Sequence, residues 1–173
     1  MNSLNAWVLL SISLAARDKR ATLDLVVGAA DAVNHSVLTP EEIQSAFRAL
    51  TSKGLIAPDG NLVSLTPSGS QLLNTVLSGK LEGGPWMTQV SALIEPLAKL
   101  PAAPLPQDQE SSLPTSEEAE TAVRTYLGRA QQTMGVSADA LHAIQAKLVA
   151  QATTPRPLVQ RLVASLSRLL GRQ

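Results

Sequence analysis

The sequence contains no cysteine. Disulfide bonds, thiolate nucleophiles and thiolate metal sites are therefore excluded. This composition is consistent with a reducing compartment, and we expect a cytoplasmic protein. Aromatic residues are also scarce, at 2% of the chain. The core must therefore be built from Leu, Val, Ile and Ala, which favours helices because Ala and Leu are strong helix formers.

Sequence motifs of catalysis and phosphate binding are missing as well. The chain has neither a glycine-rich phosphate loop nor a Gly-x-Ser-x-Gly elbow, so nothing indicates nucleotide-dependent or hydrolase chemistry. His35 follows Asp31 by four residues, which is typical of an ion pair at a helix end. His142 has no second histidine or acidic cluster beside it, as a metal site would need. We therefore predict no catalytic residue, no metal and no cofactor, and we do not expect an enzyme.

The longest apolar run, residues 6–16, is far shorter than the ~20 residues that a membrane-spanning helix needs. No basic residue precedes this run, and the charged cluster 17–20 follows it directly. A secretory signal peptide has the opposite arrangement of charge. The run therefore predicts a buried first helix over residues 3–16, and the chain is expected to have no membrane span.

Net charge is zero, from 14 basic and 14 acidic side chains, but it is unevenly distributed. Residues 81–120 carry one basic and seven acidic side chains, a net charge of −6. Residues 121–173 carry seven basic side chains and one acidic, a net charge of +6. A surface that binds polyanions is therefore expected near the C-terminus before the N-terminus.

Hydrophobic periodicity and capping residues predict the order of elements in the first part of the chain. Helices are expected over residues 3–16, 22–34 and 39–53. The third is best defined, because Thr39 can cap its start and Glu42 can bond back to the cap. A β-hairpin follows, with a turn over residues 58–61 between two short apolar strands. A fourth helix is then expected to begin at Thr66-Pro67.

The second part of the chain begins with a connection rich in glycine, proline and acidic residues. This connection covers residues 79–115 and contains a possible short helix over 86–99. Helical segments are expected over residues 116–173, starting from a capping box at Thr115. We therefore predict a mainly α fold with a small β-hairpin, divided into an N-terminal domain (1–78), the connection (79–115) and a C-terminal helical region (116–173).

The last predicted helix, residues 157–170, is amphipathic and basic. Its apolar face is too wide to leave exposed on a stable monomer, so we predict that it packs on the rest of the chain or on a second copy in a homodimer. A helix lying on a membrane surface and an arm that binds nucleic acid are the alternatives. The residues expected to mediate oligomerisation or partner contact are Leu158, Leu162, Leu166 and Leu169.

Three short stretches of the first part resemble the winged helix-turn-helix domain of bacterial transcription regulators of the MarR and PadR families. They are Leu-Thr-Pro-Glu-Glu-Ile at 38–43, Gly-Leu-Ile at 54–56 and Leu-Thr-Pro-Ser-Gly at 65–69. The resemblance implies that helix 39–53 enters the major groove of double-stranded DNA and that the wing touches phosphates. The DNA-binding residues it implies are Gln44, Ser45, Arg48, Ser52, Lys53, Arg17, Lys19 and Arg20.

Within that set, Gln44 could pair with adenine and Arg48 with guanine, so a DNA-binding transcriptional regulator is the first prediction. The charges favour an alternative. Glu41 and Glu42 lie where the first helical turn would approach phosphates, and Asp59 lies at the hairpin tip, although phosphate contacts supply most non-specific affinity. The alternative is a protein-protein interaction adaptor that uses the winged helix as a docking surface and does not bind DNA.

Overall fold

A computed structural model describes residues 2–16, 20–78 and 85–134 of the chain. Within these ranges the protein is mainly helical, with a small three-stranded antiparallel sheet. This confirms the predicted fold class. The chain divides into two compact units, Met1–Tyr126 and Leu127–Gln173. The four leucines expected to mediate oligomerisation, Leu158, Leu162, Leu166 and Leu169, lie outside the described residues, and so does His142.

Seven helices and three strands are described. The helices are α1 (Asn2–Ala16), α2 (Leu23–Asn34), α3 (Pro40–Ser52), α4 (Pro67–Leu77), α5 (Trp86–Lys99), α6 (Gln107–Ser111) and α7 (Ser116–Met134). The strands are β1 (Ala21–Thr22), β2 (Ile56–Asp59) and β3 (Leu62–Leu65). The helices predicted near 3–16, 22–34, 39–53 and 86–99 are all present, with ends that differ by one residue at most.

Helix α1 is buried on every side. Residues 5–12 are all buried, and the helix packs against α2, α3 and α5. The indole nitrogen Nε1 of Trp7 donates a hydrogen bond of 2.9 Å to the carbonyl oxygen of Ala30 on α2. A helix that is apolar all round must be enclosed by other elements, and α1 is the centre of this compact unit.

The sheet has β3 as its central strand, in the order β1-β3-β2. Strands β2 and β3 form the predicted hairpin, and Gly60 in the turn has a φ of 56°, a left-handed conformation that glycine adopts without strain. The sequence did not predict β1, which pairs Ala21 with Val63 and Thr22 with Leu62. A strand of two residues has no alternation of apolar and polar side chains that could reveal it.

Helices α3 and α4 both begin with a threonine cap followed by proline. The side chain of Thr39 accepts a hydrogen bond from the backbone N–H of Glu42, and the Glu42 carboxylate accepts one from the N–H of Thr39. This reciprocal pair is the predicted capping box. The side chain of Thr66 accepts from the N–H of Gly69 at 3.0 Å. The two caps fix the start of each helix on either side of the hairpin.

Helices α5 and α7 add to the core around α1 and α2. Val90, Leu93 and Leu97 of α5 are buried, and α5 packs along α1. In α7 the buried residues are Ala119 and Ala122, whose small side chains permit close approach to the neighbouring elements. Residues 85–126 therefore belong to the same compact unit as the first four helices.

Replacing Gly69 by alanine is expected to destabilise this unit strongly. A Cβ atom at this position would lie 2.1 Å from the carbonyl oxygen of Leu55, so α4 or the hairpin has to move. We expect the free energy of unfolding to fall by about 3 kcal/mol, near the upper end for overpacking. Chemical denaturation followed by circular dichroism measures this change.

Gly128→Ala is the matched control, because a Cβ atom at Gly128 of α7 would have no neighbour within 4 Å among the described residues. Alanine in an open helical position is expected to be neutral or to stabilise by about 0.5–1 kcal/mol. Equal stability of Gly69→Ala and the wild-type chain would contradict the close packing of α4 on Leu55.

Candidate binding surface on helix α3

The outward face of α3 carries four of the eight side chains that the sequence assigned to DNA contact, and a fifth, that of Lys53, lies at the C-cap of the helix. Its inward face packs into the core through Ile43, Phe47 and Leu50, which are fully buried. On the outward face, Ser45 and Arg48 are exposed, whereas Gln44, Ser52 and Lys53 are partly covered. The elements that cover these three side chains come from a later part of the chain.

Residues 100–115, which join α5 to α7 and include α6, lie along this face, and we call them the strap. At one end of the strap, the Lys53 ammonium donates a hydrogen bond of 2.5 Å to the carbonyl oxygen of Leu100. The backbone N–H of Ala103 donates to the carbonyl oxygen of Ser52 at 2.8 Å. The beginning of the strap is therefore attached to the C-terminal end of α3.

Further along, the strap follows α3 toward its N-terminus. The Glu110 carboxylate forms an ion pair with the Arg48 guanidinium, and the Gln44 amide donates to the carbonyl oxygen of Pro114 at 3.5 Å. Residue numbers rise along the strap as they fall along α3, so the two run antiparallel. The strap therefore extends along α3 from its last turn to its second turn.

Few strap residues are anchored in the core. Leu100 and Leu113 are partly buried against it, and Pro114 is buried, whereas residues 101–104 and 106–111 are exposed. The side chains of Arg48 and Glu110 are 59% and 52% exposed, and ion pairs as exposed as this contribute about 0–1 kcal/mol. The strap is thus held by a few apolar anchors and backbone hydrogen bonds rather than by its charges.

The tip of the hairpin also contacts the strap. The N–H of Gly60 donates to the carbonyl oxygen of Ser112 at 3.1 Å. Beside it, Asp59 forms an exposed ion pair with Arg20 at 2.7 Å. Arg20, one of the cations assigned to DNA contact, is therefore paired within the chain, and the other two, Arg17 and Lys19, lie outside the described residues.

The electrostatic character of this unit is acidic. The described residues up to Tyr126 include five basic and eleven acidic side chains, a net charge of −6. Of the basic groups, Arg48, Lys53 and Arg20 have the intrachain acceptors described above. The surface around α3 therefore offers no concentration of unpaired cations in this part of the chain.

Tyr126 fixes α7 against α2, beyond the far end of the strap. Its hydroxyl donates a hydrogen bond to the Asp31 carboxylate. Its ring packs over Gly28 of α2, so closely that a Cβ atom added to Gly28 would lie 3.1 Å from the ring. Burial raises the pKa of Tyr126 well above its usual value, and the hydrogen bond to Asp31 and the negative charge of that carboxylate raise it further. The neutral tyrosine is therefore the form that the fold stabilises.

The ion pair expected between Asp31 and His35 is not formed. Asp31 directs its carboxylate to Tyr126, and His35 contacts Asp31 through its backbone N–H, 2.7 Å from the Asp31 carbonyl oxygen. His35 is the C-cap of α2 and has a left-handed backbone, with a φ of 49°. This spacing therefore reflects how the helix ends and does not indicate an acid-base pair.

A cleft of about 810 Å³ lies between α1, β3 and α4, and no residue of the strap lines it. Its lining includes Ser13, Leu65, Leu73 and Ser78. Among the described residues there is no cluster of three or more histidine or acidic side chains that could hold a metal ion. No helix in that part of the chain is long and apolar enough to cross a membrane.

The sequence identified which side chains of α3 face outward, but it did not predict what contacts them. Three of the four polar contacts between α3 and the strap use backbone atoms of the strap. Every residue type has such atoms, so the amino-acid sequence does not indicate where these contacts form. The one sequence signal was opposite charge on Arg48 and Glu110, which are 62 positions apart.

Comparison of the chain with protein-family models, curated proteins and solved structures finds no match.

Tyr126 is the single tyrosine of the chain, so tyrosinate absorbance measures its ionisation directly. We expect it to stay protonated in the folded protein at about pH 11, whereas the urea-unfolded chain titrates near the ordinary value of about 10. Because the pKa is raised by folding, the stabilisation is present below about pH 10 and is lost as the pH rises further.

Tyr126→Phe, which keeps the ring and removes the hydroxyl, is expected to lower the free energy of unfolding at neutral pH by about 1–2 kcal/mol, because it leaves the Asp31 carboxylate without this donor. The variant also serves as the blank for the titration. A native titration near pH 10 would contradict the burial of this hydroxyl against Asp31.

Proposed function

We propose that this chain is a winged helix protein that acts in the cytoplasm as a protein-interaction module and does not read DNA through α3. The observation that carries this proposal is the strap along the outward face of α3. Gln44, Arg48 and Lys53 all contact it, so a base or a phosphate would compete with the strap for these side chains.

The order of elements supports the winged helix part of the proposal. Three helices, a two-stranded hairpin and a fourth helix follow one another over residues 2–77, as in the domain that the sequence resembles. A short strand before α2 completes a three-stranded sheet with the hairpin. In that domain α3 would be the helix that enters the major groove. The contacts between the strap and α3 therefore bear directly on whether α3 reads DNA.

The charges support the interaction part. Binding to duplex DNA gains most of its affinity when lysine and arginine side chains neutralise phosphates and release counterions. The described residues up to Tyr126 have a net charge of −6. Glu110 of the strap lies against Arg48 of α3, where a phosphate would have to approach. A surface of this charge repels a polyanion at moderate salt.

The strap itself supports docking of polypeptide on α3. A segment that is irregular outside the short helix α6 already lies along α3, with backbone hydrogen bonds to Ser52 and Lys53 and with Pro114 buried beside Gln44. The shape and the donors of this face are therefore suited to a protein chain.

DNA-binding regulation is the second candidate function, and one observation favours it. The Arg48 guanidinium is paired with a carboxylate whose charge has the same sign as a phosphate. If the strap leaves α3, then Gln44, Ser45 and Arg48 become available as the resemblance implies. This candidate requires an open state in which α3 binds DNA more strongly than it binds the strap.

Fluorescence anisotropy with labelled random duplex DNA separates the two functions. At roughly 50 mM and 200 mM salt, concentrations between which phosphate-dominated binding changes steeply, we expect the wild-type chain to show no binding through α3. Glu110→Lys removes the acidic partner of Arg48 and should not create salt-dependent binding that depends on Arg48.

Arg48→Glu is the control that assigns any binding that is seen. Salt-dependent binding of the wild-type chain that is lost in Arg48→Glu would overturn the proposal and establish a DNA reader. If the wild-type chain and Arg48→Glu bind DNA equally well, the binding comes from other basic residues and does not use Arg48 of α3. Binding by Glu110→Lys that is absent in the wild-type chain and is lost when Arg48→Glu is added would establish the second candidate.

A further inference from the structure

We propose that the outward face of α3 is an exchangeable docking site for a polypeptide segment that carries one acidic residue and a Leu-Pro anchor, and that the strap is its resident occupant. This inference rests on the proposed interaction function and names the chemistry of the partner. A partner segment would replace residues 100–115 on α3 and leave the helices on either side of the strap in place.

The contacts along α3 define what the face recognises. The carbonyl oxygen of Ser52 accepts a backbone N–H, and Lys53 and Gln44 donate to backbone carbonyl oxygens. Contacts of this kind are available from any extended segment and give affinity without strong selection of sequence. They require free backbone groups at three positions of the occupant, and they do not select its side chains.

Selectivity comes from two side-chain features of the strap. The Glu110 carboxylate pairs with Arg48, so the occupant carries an acidic residue at this position. Leu113 is partly buried against the core and Pro114 is buried, so an apolar residue followed by proline lies three residues beyond the acidic one. The partner is therefore a segment of the form acidic-x-x-Leu-Pro.

The strap is held weakly enough to be exchanged. Most of residues 101–111 are exposed, and both side chains of the ion pair with Arg48 are more than half exposed. The strap stays on α3 mainly because it is attached to α5 and α7 at its two ends. A segment tethered in this way has an effective concentration on the order of millimolar at its site. A free segment therefore competes well only when the contacts of the strap are weakened.

Detachment of the strap withdraws a few anchors from the packed interior and leaves the elements on either side of it in place. Leu93 and Leu97 hold α5 in the core on one side, and Tyr126 holds α7 against α2 on the other. The strap contributes Leu100, Leu113 and Pro114 to the packed interior, whereas the buried core cluster extends over α1, α2, α3 and the sheet. Exchange is therefore a local event within a folded unit.

The test uses a fluorescein-labelled peptide with the sequence of residues 100–115 and the full-length chain. Glu110→Ala/Leu113→Ser weakens the strap and leaves α3 unchanged. We expect this double variant to bind the peptide at least roughly tenfold more tightly than the wild-type chain, because the tethered competitor is weakened. Adding Arg48→Glu to the double variant should reduce that binding at least roughly tenfold, because like charges then oppose each other.

Asp108→Ala is the matched control within the strap. It removes the same charge from α6 as Glu110→Ala, but the Asp108 carboxylate forms no ion pair within the described residues, so peptide binding should equal that of the wild-type chain. Glu110→Ala/Leu113→Ala provides a second variant if the first double variant fails to fold by circular dichroism, since alanine weakens the apolar anchor of the strap without placing a polar group there.

A folded strap variant that does not bind the peptide overturns the inference, and so does peptide binding that is unaffected by Arg48→Glu. Binding of labelled duplex DNA by the strap variant, in place of the peptide, would assign the face to nucleic acid. If neither the peptide nor DNA binds, the inference fails and the proposed function stands. If the wild-type chain binds DNA through Arg48, the proposed function itself is contradicted.

Discussion

Enclosure of α1 is the constraint on which the rest of the structure depends. Residues 5–12 of this helix are buried on all sides, so α2 and α3 alone cannot cover it, and α5 packs on it as well. The chain must therefore return to α1 after the hairpin and α4. Helix α7 then contacts α2 through Tyr126, and the connection from α5 to α7 runs along α3.

This arrangement changes the role of a helix that looks well suited to bind DNA. The cap at Thr39, the buried stripe through Phe47 and the outward polar residues are all formed as a recognition helix requires. Its outward donors, however, are satisfied within the chain by Glu110 and by backbone carbonyl oxygens. Any partner of α3 must offer better acceptors than the strap, and for a polyanion the acidic surroundings raise that cost.

Sequence reasoning was reliable where the physical cause is local. The capping boxes at Thr39 and Thr115, the apolar stripe of α3 and the all-round apolar α1 depend on residues a few positions apart, and the structure has each of them. It missed β1, which is too short for any periodicity. It also predicted a connection over residues 79–115 without the contact of its second half to α3, because that contact uses backbone atoms and one ion pair between residues 62 positions apart.

The position of the strap on α3 is tested most directly by amide hydrogen exchange at Ala102 and Ala103. These neighbours have the same side chain and are both exposed, but the N–H of Ala103 donates to Ser52, whereas Ala102 has no such bond in the described part of the chain. We predict that Ala103 exchanges at least roughly tenfold more slowly than Ala102, as expected for an amide that exchanges only on local opening. Equal and unprotected exchange at both positions would show that the strap does not rest on α3 in solution.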